Sequence, residues 1–410
     1  MNASEAVEQV ARESYGRLVA WLARRSGDLA LAEDAVGDAL AVALERWPKE
    51  GLPKKPEAWL LVAARRKLID QRRRARTRDE ASDALAAAAR RLQDEAAEAA
   101  EAPFRDQLPD RRLGLLFACA HPDLPENVRT PLMLQTVLGL SAEAIAGPFL
   151  AAPSTISQRL VRAKRRIRDL GLAFEVPPAE ALAGRLPPVL DAIYAAYGTG
   201  WEADPNLGED RGLAGEALWL AGLLVRLLPQ SGEAKGLYAL LCFCESRRSA
   251  RRSPEGDYVP LEAQDTKRWD HDLILEGEKA LWLAARLDDE GPYQAEASIH
   301  SVHAHRARGG TTDWVSIEKI YALLVELYPS LGARIGHAAS LGRIGRSEDG
   351  LAVLEALPEA SIARHQPYWA VRAWLLTRLG QVALAREAYA RAAGLCTDPA
   401  VRAWLTRQSP

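Results

Sequence analysis

Residues 139–168 read GLSAEAIAGPFLAAPSTISQRLVRAKRRIR. Ser141 can cap a short helix that holds Ile145, Ala151-Ala152-Pro153 makes a turn, and Ser154 can cap a second helix. In that second helix Ile156, Leu160, Ala163 and Ile167 fall on one apolar stripe at helical spacing. Gln158, Arg162 and Arg165 point directly away from it, with Ser154 nearby. Two helices joined by a tight turn, the second polar and basic on its outer face, form the pattern of a helix-turn-helix. There the second helix reads base edges near its N-terminus and the surrounding cations meet phosphates. Lys164, Arg166 and Arg168 flank that face and are expected to supply phosphate contacts. Pro148 falls inside the first helix and is expected to shorten it. An ordinary basic helical hairpin satisfies the same periodicity.

Residues 56–78 carry a second concentration of charge. Leu61, Ala64 and Leu68 share a face that suits a core, while Trp59, Ala63, Arg66, Asp70 and Arg73 fall opposite. The C-terminal half of this helix holds Arg65, Arg66, Lys67, Arg72, Arg73, Arg74, Arg76 and Arg78 against the single Asp70. An aromatic side chain leading into a basic face offers a stacking platform beside phosphate-neutralising charge, as melting or single-stranded DNA requires. A solvated basic helix with Trp59 in the core fits the same residues.

Helical periodicity continues along the rest of the chain, and no alternating run is long enough to argue a sheet, so the expected fold class is all-α. Helices are expected over residues 5–25, 28–46 and 56–78, separated by Gly27-Asp28 and by Pro48, Gly51, Pro53 and Pro56. The expected organisation is a helical module over 1–78, a linker over 79–108, a second helical group over 109–175, and a helical region over 176–410. Residues 246–270 are polar and basic and read as a long loop. The chain has 410 residues, too many for one small core. Its net charge of −2 says nothing of nucleic acid, and the argument rests on where the charges cluster. The four cysteines, Cys119, Cys242, Cys244 and Cys396, form neither a disulfide framework nor a Cys-x-x-Cys pair. Neither a membrane span nor a secretory leader is apparent, so a cytoplasmic location without membrane partners is expected.

The two basic stretches, taken together, resemble a known family. AEDAVGDAL at 32–40 followed by PEAWLLVAARRKLIDQRRR at 56–74 resembles region 2 of the extracytoplasmic-function (ECF) sigma factors of the sigma-70 family, bacterial subunits that direct RNA polymerase to promoters. Residues 124–171 resemble region 4 of that family. FACAHPDLPENVR at 117–129 and the tail resemble a subgroup with a fused C-terminal domain similar to tetratricopeptide repeats. The resemblance implies a role in transcription initiation and regulation, with core RNA polymerase and promoter DNA as partners. It implies that Asp34 and Asp38 dock on the clamp helices of the polymerase β′ subunit. It further implies that Trp59, Arg66, Asp70 and Arg73 act at the downstream −10 element, and that Ser154, Gln158, Arg162, Arg165 and Arg166 act at the upstream −35 element. Gly37 stands where the family usually has Gln; it removes a side-chain contact and weakens a mid-helix position by up to about 1 kcal/mol. A stand-alone helix-turn-helix regulator with a repeat-type sensor, which would need residues 124–171 and not the N-terminal helices, is one alternative, and a repeat-based enzyme accessory or scaffold in which the basic helices are incidental is another.

In the tail, Leu379-Gly380, Ala385, Tyr389 and Ala392 follow Ile344-Gly345, Gly350, Leu354 and Leu357 at an offset of 35 residues. That offset is close to the roughly 34-residue tetratricopeptide period. A helical solenoid presents a concave surface suited to a protein segment, so a protein partner and a modulating role are expected of this region. His300, His303 and His305 lack a completing ligand set and read as structural. Asp265, Arg268 and Asp270 are expected to hold a loop. No phosphate-binding Gly-rich loop, nucleophile elbow or zinc-protease motif occurs, so neither an enzyme nor a cofactor or metal is expected.

Overall fold

The computed structural model describes residues 3–78, 111–146, 149, 151–182, 184–202 and 212–410, and the linker expected over 79–108 lies outside them. Among the described residues the chain is helical, with 3₁₀ turns and no strand beyond an isolated bridge between Arg252 and Tyr258. The all-α expectation holds. The chain divides into two compact units, Met1–Ala196 and Tyr197–Pro410.

The first unit opens with three helices, α1 (Ala3–Ser26), α2 (Leu29–Glu50) and α3 (Pro56–Arg78). Gly27 takes a left-handed φ of 68° and ends α1, and the Asp28 carboxylate accepts a hydrogen bond from the Leu31 amide at 3.1 Å to start α2. Pro48 was expected to end the second helix, yet it sits inside the last turn of α2. A proline so near a C-terminus removes one backbone donor from a single remaining turn. The true stop is Gly51, at φ 86°, whose amide bonds to the Trp47 carbonyl at 3.0 Å.

The same unit continues with α4 (Arg112–Cys119), α5 (Glu126–Leu138), α6 (Ala142–Ala146) and α7 (Pro153–Asp169). The short α6 ends at Ala146, just ahead of Gly147-Pro148, which lie outside the described residues. Ser141 caps it as expected, its hydroxyl accepting from the Ala144 amide at 3.3 Å. Ser154 does not cap α7. The helix begins one residue earlier at Pro153, whose fixed φ suits a first helical position, and Ala152 is the N-cap residue. Ile156, Leu160, Ala163 and Ile167 are all buried, as the stripe predicts. So are Leu61, Ala64 and Leu68 of α3.

These two groups of helices share one core. Helix α1 meets α5 so closely that a Cβ placed on Gly16 would lie 1.9 Å from the Val137 carbonyl oxygen. Leu18, Leu22, Leu116, Phe117 and Leu132 are fully buried in this unit. Each such side chain contributes roughly 1.5–3 kcal/mol.

In the second unit, α8 (Leu186–Glu202) crosses the boundary and is followed by α9 (Gly212–Leu227) and α10 (Gly232–Ser246). After the loop come α11 (His271–Ala284), α12 (Pro292–Ala304), α13 (Trp314–Leu327), α14 (Leu331–Arg343) and α15 (Ser347–Glu355). Last are α16 (Gln366–Arg378), α17 (Val382–Leu395) and α18 (Pro399–Gln408). The expected loop over 246–270 is present, carried by 3₁₀ turns at 248–251, 261–263 and 266–268. Arg268 donates to the Arg252 carbonyl at 2.7 Å and also to the Ser249 carbonyl. Asp265 caps the Lys267 amide at 3.0 Å, and Asp270 caps α11 through Leu273 at 3.0 Å. Those three charges hold the loop.

Helices α14 and α15 form one hairpin and α16 and α17 another, with Gly345 (φ 88°) and Gly380 (φ 70°) in the two equivalent turns. Gly350 lets α15 approach α14, since a Cβ there would lie 2.6 Å from the Ala338 carbonyl oxygen. Its counterpart Ala385 is fully buried. His300 and His303 lie inside this unit: His300 Nδ1 is 2.9 Å from an Arg247 guanidinium nitrogen, and His303 meets the Trp314 ring edge-on at 5.2 Å. Burial, with Arg247 nearby, drives His303 down to about 3 and His300 also well down, so both imidazoles are neutral near neutral pH.

Gly16 and Gly37 both occupy helix interiors, but nothing lies within 4 Å of a Cβ built on Gly37. Gly37→Ala should therefore stabilise the protein by about 0.5–1 kcal/mol through helix propensity. Gly16→Ala should destabilise it by about 1–3 kcal/mol because the added methyl overpacks the α1–α5 contact. Urea unfolding of the two variants checks the opposite signs.

Candidate nucleic-acid interface

Helix α7 buries its apolar stripe and turns Ser154, Gln158, Arg162, Arg165 and Arg166 to solvent. These side chains form one continuous polar and basic surface, with its hydrogen-bonding groups nearest the helix N-terminus. Arg165 lies 3.9 Å from Asp169 in an exposed i,i+4 pair, which is worth little and leaves the guanidinium available. The expected −35 residues are thus gathered on a single accessible face.

On α3, Arg66 and Asp70 are exposed, and the Arg73 side chain lies outside the described residues. Trp59 is half-buried: its ring meets the buried Trp47 ring edge-on at 5.5 Å, an anchor that leaves part of the indole at the surface. On α2, Asp34 and Asp38 are exposed one turn apart, with Gly37 exposed beside them. Asp38 comes within 3.8 Å of the Lys67 ammonium on α3, a surface pair of small energetic weight.

One of the expected phosphate contacts, Lys164, is engaged inside the protein. The Lys164 ammonium lies 2.5 Å from Glu33 Oε2 on α2 and donates to Gln135 Oε1 on α5 at 2.6 Å. The side chains of Lys164 and Glu33 are only 13% and 11% exposed, so this pair is largely desolvated. Arg168, by contrast, is exposed and reaches Asp28 Oδ2 at 3.5 Å, a surface pair of small energetic weight. At the far end, Arg24 on α1 holds Glu175 at 2.6 Å. Glu33 Oε1 is buried and accepts no hydrogen bond. Burial pushes the Glu33 carboxyl above the usual carboxylate range, and the Lys164 charge and hydrogen bond pull against that rise without cancelling it. The expectation that Lys164 supplies a phosphate contact is corrected for this arrangement, whereas Arg168 stays exposed. The signal for the pairing was present: Glu33 lies between Leu29, Ala32 and Val36, the buried stripe of α2, and a carboxylate there needs a partner.

Comparison with known proteins adds sequence relatives. Residues 11–78 match sigma-70 region 2. Residues 185–285 match a family of unknown function (DUF6596), a span that includes the arginine-rich loop before α11. An uncharacterized protein of Rhizobium meliloti (strain 1021) is 36% identical over 393 residues, covering 94% of this chain and 91% of the relative. No solved structure matches the chain.

The α7 surface makes a specific demand on DNA-binding data. Gln158→Ala should change which sequences are preferred, and Arg166→Ala should weaken binding to all sequences and lower the salt slope by about 1. Footprinting and salt titration of the two variants distinguish base reading from phosphate holding, and identical effects would contradict the division.

Proposed function

We propose that this chain, which belongs to the sigma-70 family, is an RNA polymerase sigma factor of the ECF type whose second unit modulates its activity. The observation that carries this reading is the pairing, within the first unit, of a sigma-70 region 2 with the exposed basic face of α7. A regulator acting through α7 alone has no need of region 2. In the proposed role α7 serves as the reading helix of region 4, with Gln158 and Arg162 at bases of the −35 element and Arg165 and Arg166 at phosphates. Arg66, Asp70 and Arg73 on α3, with the exposed part of Trp59, serve the −10 element, where strand opening frees bases for stacking. Asp34 and Asp38 serve the clamp helices of the β′ subunit, supported by their common exposed face.

The second unit takes the modulating role. The two hairpins α14–α15 and α16–α17, with equivalent residues 35 apart, support a tetratricopeptide-like stack there. A protein segment bound by that stack is the proposed source of regulation.

The reading is tested at polymerase docking. Reversing both Asp34 and Asp38 to Lys should reduce co-purification with core polymerase by tenfold or more. Both side chains are exposed, so the melting temperature should stay within a few degrees of the parent. A folded double variant that binds core polymerase as well as the parent would remove these two residues from the docking surface.

A further inference from the structure

We propose that Trp314, Arg343, Trp374 and Arg378 form a ladder in the second unit that binds an acidic peptide segment, whose carboxylates pair with the two guanidiniums. The proposal rests on the modulating role given to this unit and names the chemistry of the segment it takes. The ladder is a continuous stack. The Arg343 guanidinium lies 5.2 Å from the centre of the Trp314 ring and 4.6 Å from that of Trp374, and the Arg378 guanidinium lies 5.2 Å from the Trp374 ring. All three distances are within reach of a cation–π contact. Gly342 makes room for the middle ring, since a Cβ there would lie 2.5 Å from Trp374 Cζ3.

The rungs repeat with the hairpins. Arg343 and Arg378 are the last residues of α14 and α16, 35 residues apart, so each hairpin contributes one guanidinium. Arg308 stands 35 residues before Arg343, just ahead of the positive-φ Gly309. Carboxylates of the chain itself meet two of these three arginines: Glu278 pairs with Arg308, and Glu262 pairs with Arg343 at 2.8 Å. Arg378 has no carboxylate partner among the described residues, and its Nε donates to the Ser347 hydroxyl at 3.4 Å. Burial lowers the Arg343 guanidinium below its ordinary pKa; Glu262 opposes that fall and the Arg378 charge adds to it. Two neighbouring cations thus share one carboxylate, and a second anion would relieve their repulsion. The surroundings carry the same sign: residues 331–410 hold ten arginines and no lysine against six carboxylates, in a chain whose net charge is −2.

The stacking decides between partners. A guanidinium held against an indole keeps its N–H edge for a bidentate ligand and loses less freedom when that ligand arrives. At Arg343 that ligand is already a carboxylate, that of Glu262. The same stacking covers indole faces, which a single-stranded nucleic acid would need free for its bases. An acidic peptide has no such need. In the bound form one carboxylate of the segment takes the Arg378 edge, and a second replaces Glu262 at Arg343. The side chains of Arg343 and Glu262 are 35% and 40% exposed, so the displaced Glu262 returns to water at little cost.

Fluorine NMR of the full chain labelled with 5-fluorotryptophan tests this, with the Trp314 and Trp374 signals assigned from Trp→Phe variants. The probe is a short peptide of alternating Glu and Ala, and the matching Gln–Ala peptide and an oligothymidylate are the comparisons. The Glu–Ala peptide should shift both signals. Arg378→Gln, at an exposed position, should weaken the binding read there by about tenfold or more. Arg378→Lys, which keeps the charge without the planar fork, should weaken it less. Glu262→Gln should tighten it by about threefold, because it removes the resident competitor. A glutamate that merely holds the loop would give no such gain. Unmoved signals, equal shifts from the Gln–Ala peptide, or an Arg378→Gln or Glu262→Gln variant that binds as the parent does would overturn the site. Tighter binding of oligothymidylate at the same two signals would overturn it in favour of a nucleic-acid surface. Core polymerase takes no part in these measurements, so a failed polymerase-docking test would overturn the sigma reading and leave the ladder result standing.

Discussion

The first unit depends on the close approach of α1 to α5 at Gly16, where the Val137 carbonyl oxygen occupies the space any side chain would need. That contact brings α1 to α3 and α4 to α7 under one core, and the polar contacts between them follow from it. With α1 seated on α5, α7 comes against α2, and the Lys164 ammonium falls between Glu33 and Gln135. The ion pair adds little net strength, since burial of both charges consumes most of what their attraction returns. Apolar burial holds the unit together.

This division of labour bears on function. The polar and basic face of α7 is solvent-exposed, whereas Lys164 at its edge is paired with Glu33. The second unit is built differently: its paired helices rely on small residues at close contacts, such as Gly350 and Ala385, and on positive-φ glycines at the turns. Its charged loop is fixed by Arg268 and by two aspartate caps.

The sequence made the local features legible. Periodicity placed the buried stripe of α7 residue by residue and that of α3 apart from the fully buried Leu60, the outward face of α7 followed from the same count, and the 35-residue offset located the two hairpins. Chemistry that depends on distant neighbours was harder to read. Lys164 read as a free cation because its ionic partner lies on a helix more than a hundred residues away in sequence. Gly16 carries no local mark of its close approach, since a helix-interior glycine reads only as a weak position. Pro48 and Ser154 misled for a related reason. Each is a breaker or cap by habit, but the stop at Gly51 and the start at Pro153 were stronger local signals one turn or one residue away.

The central claim is that this chain confers promoter recognition on RNA polymerase. It is tested most directly by transcription in vitro with purified core polymerase, this protein alone and a pool of genomic fragments, with transcript starts mapped by sequencing. The account predicts discrete starts that appear only when core polymerase and this chain are both present, each preceded by shared −10 and −35 elements. A folded chain that binds core polymerase yet yields no start sites beyond those of the core alone would contradict it.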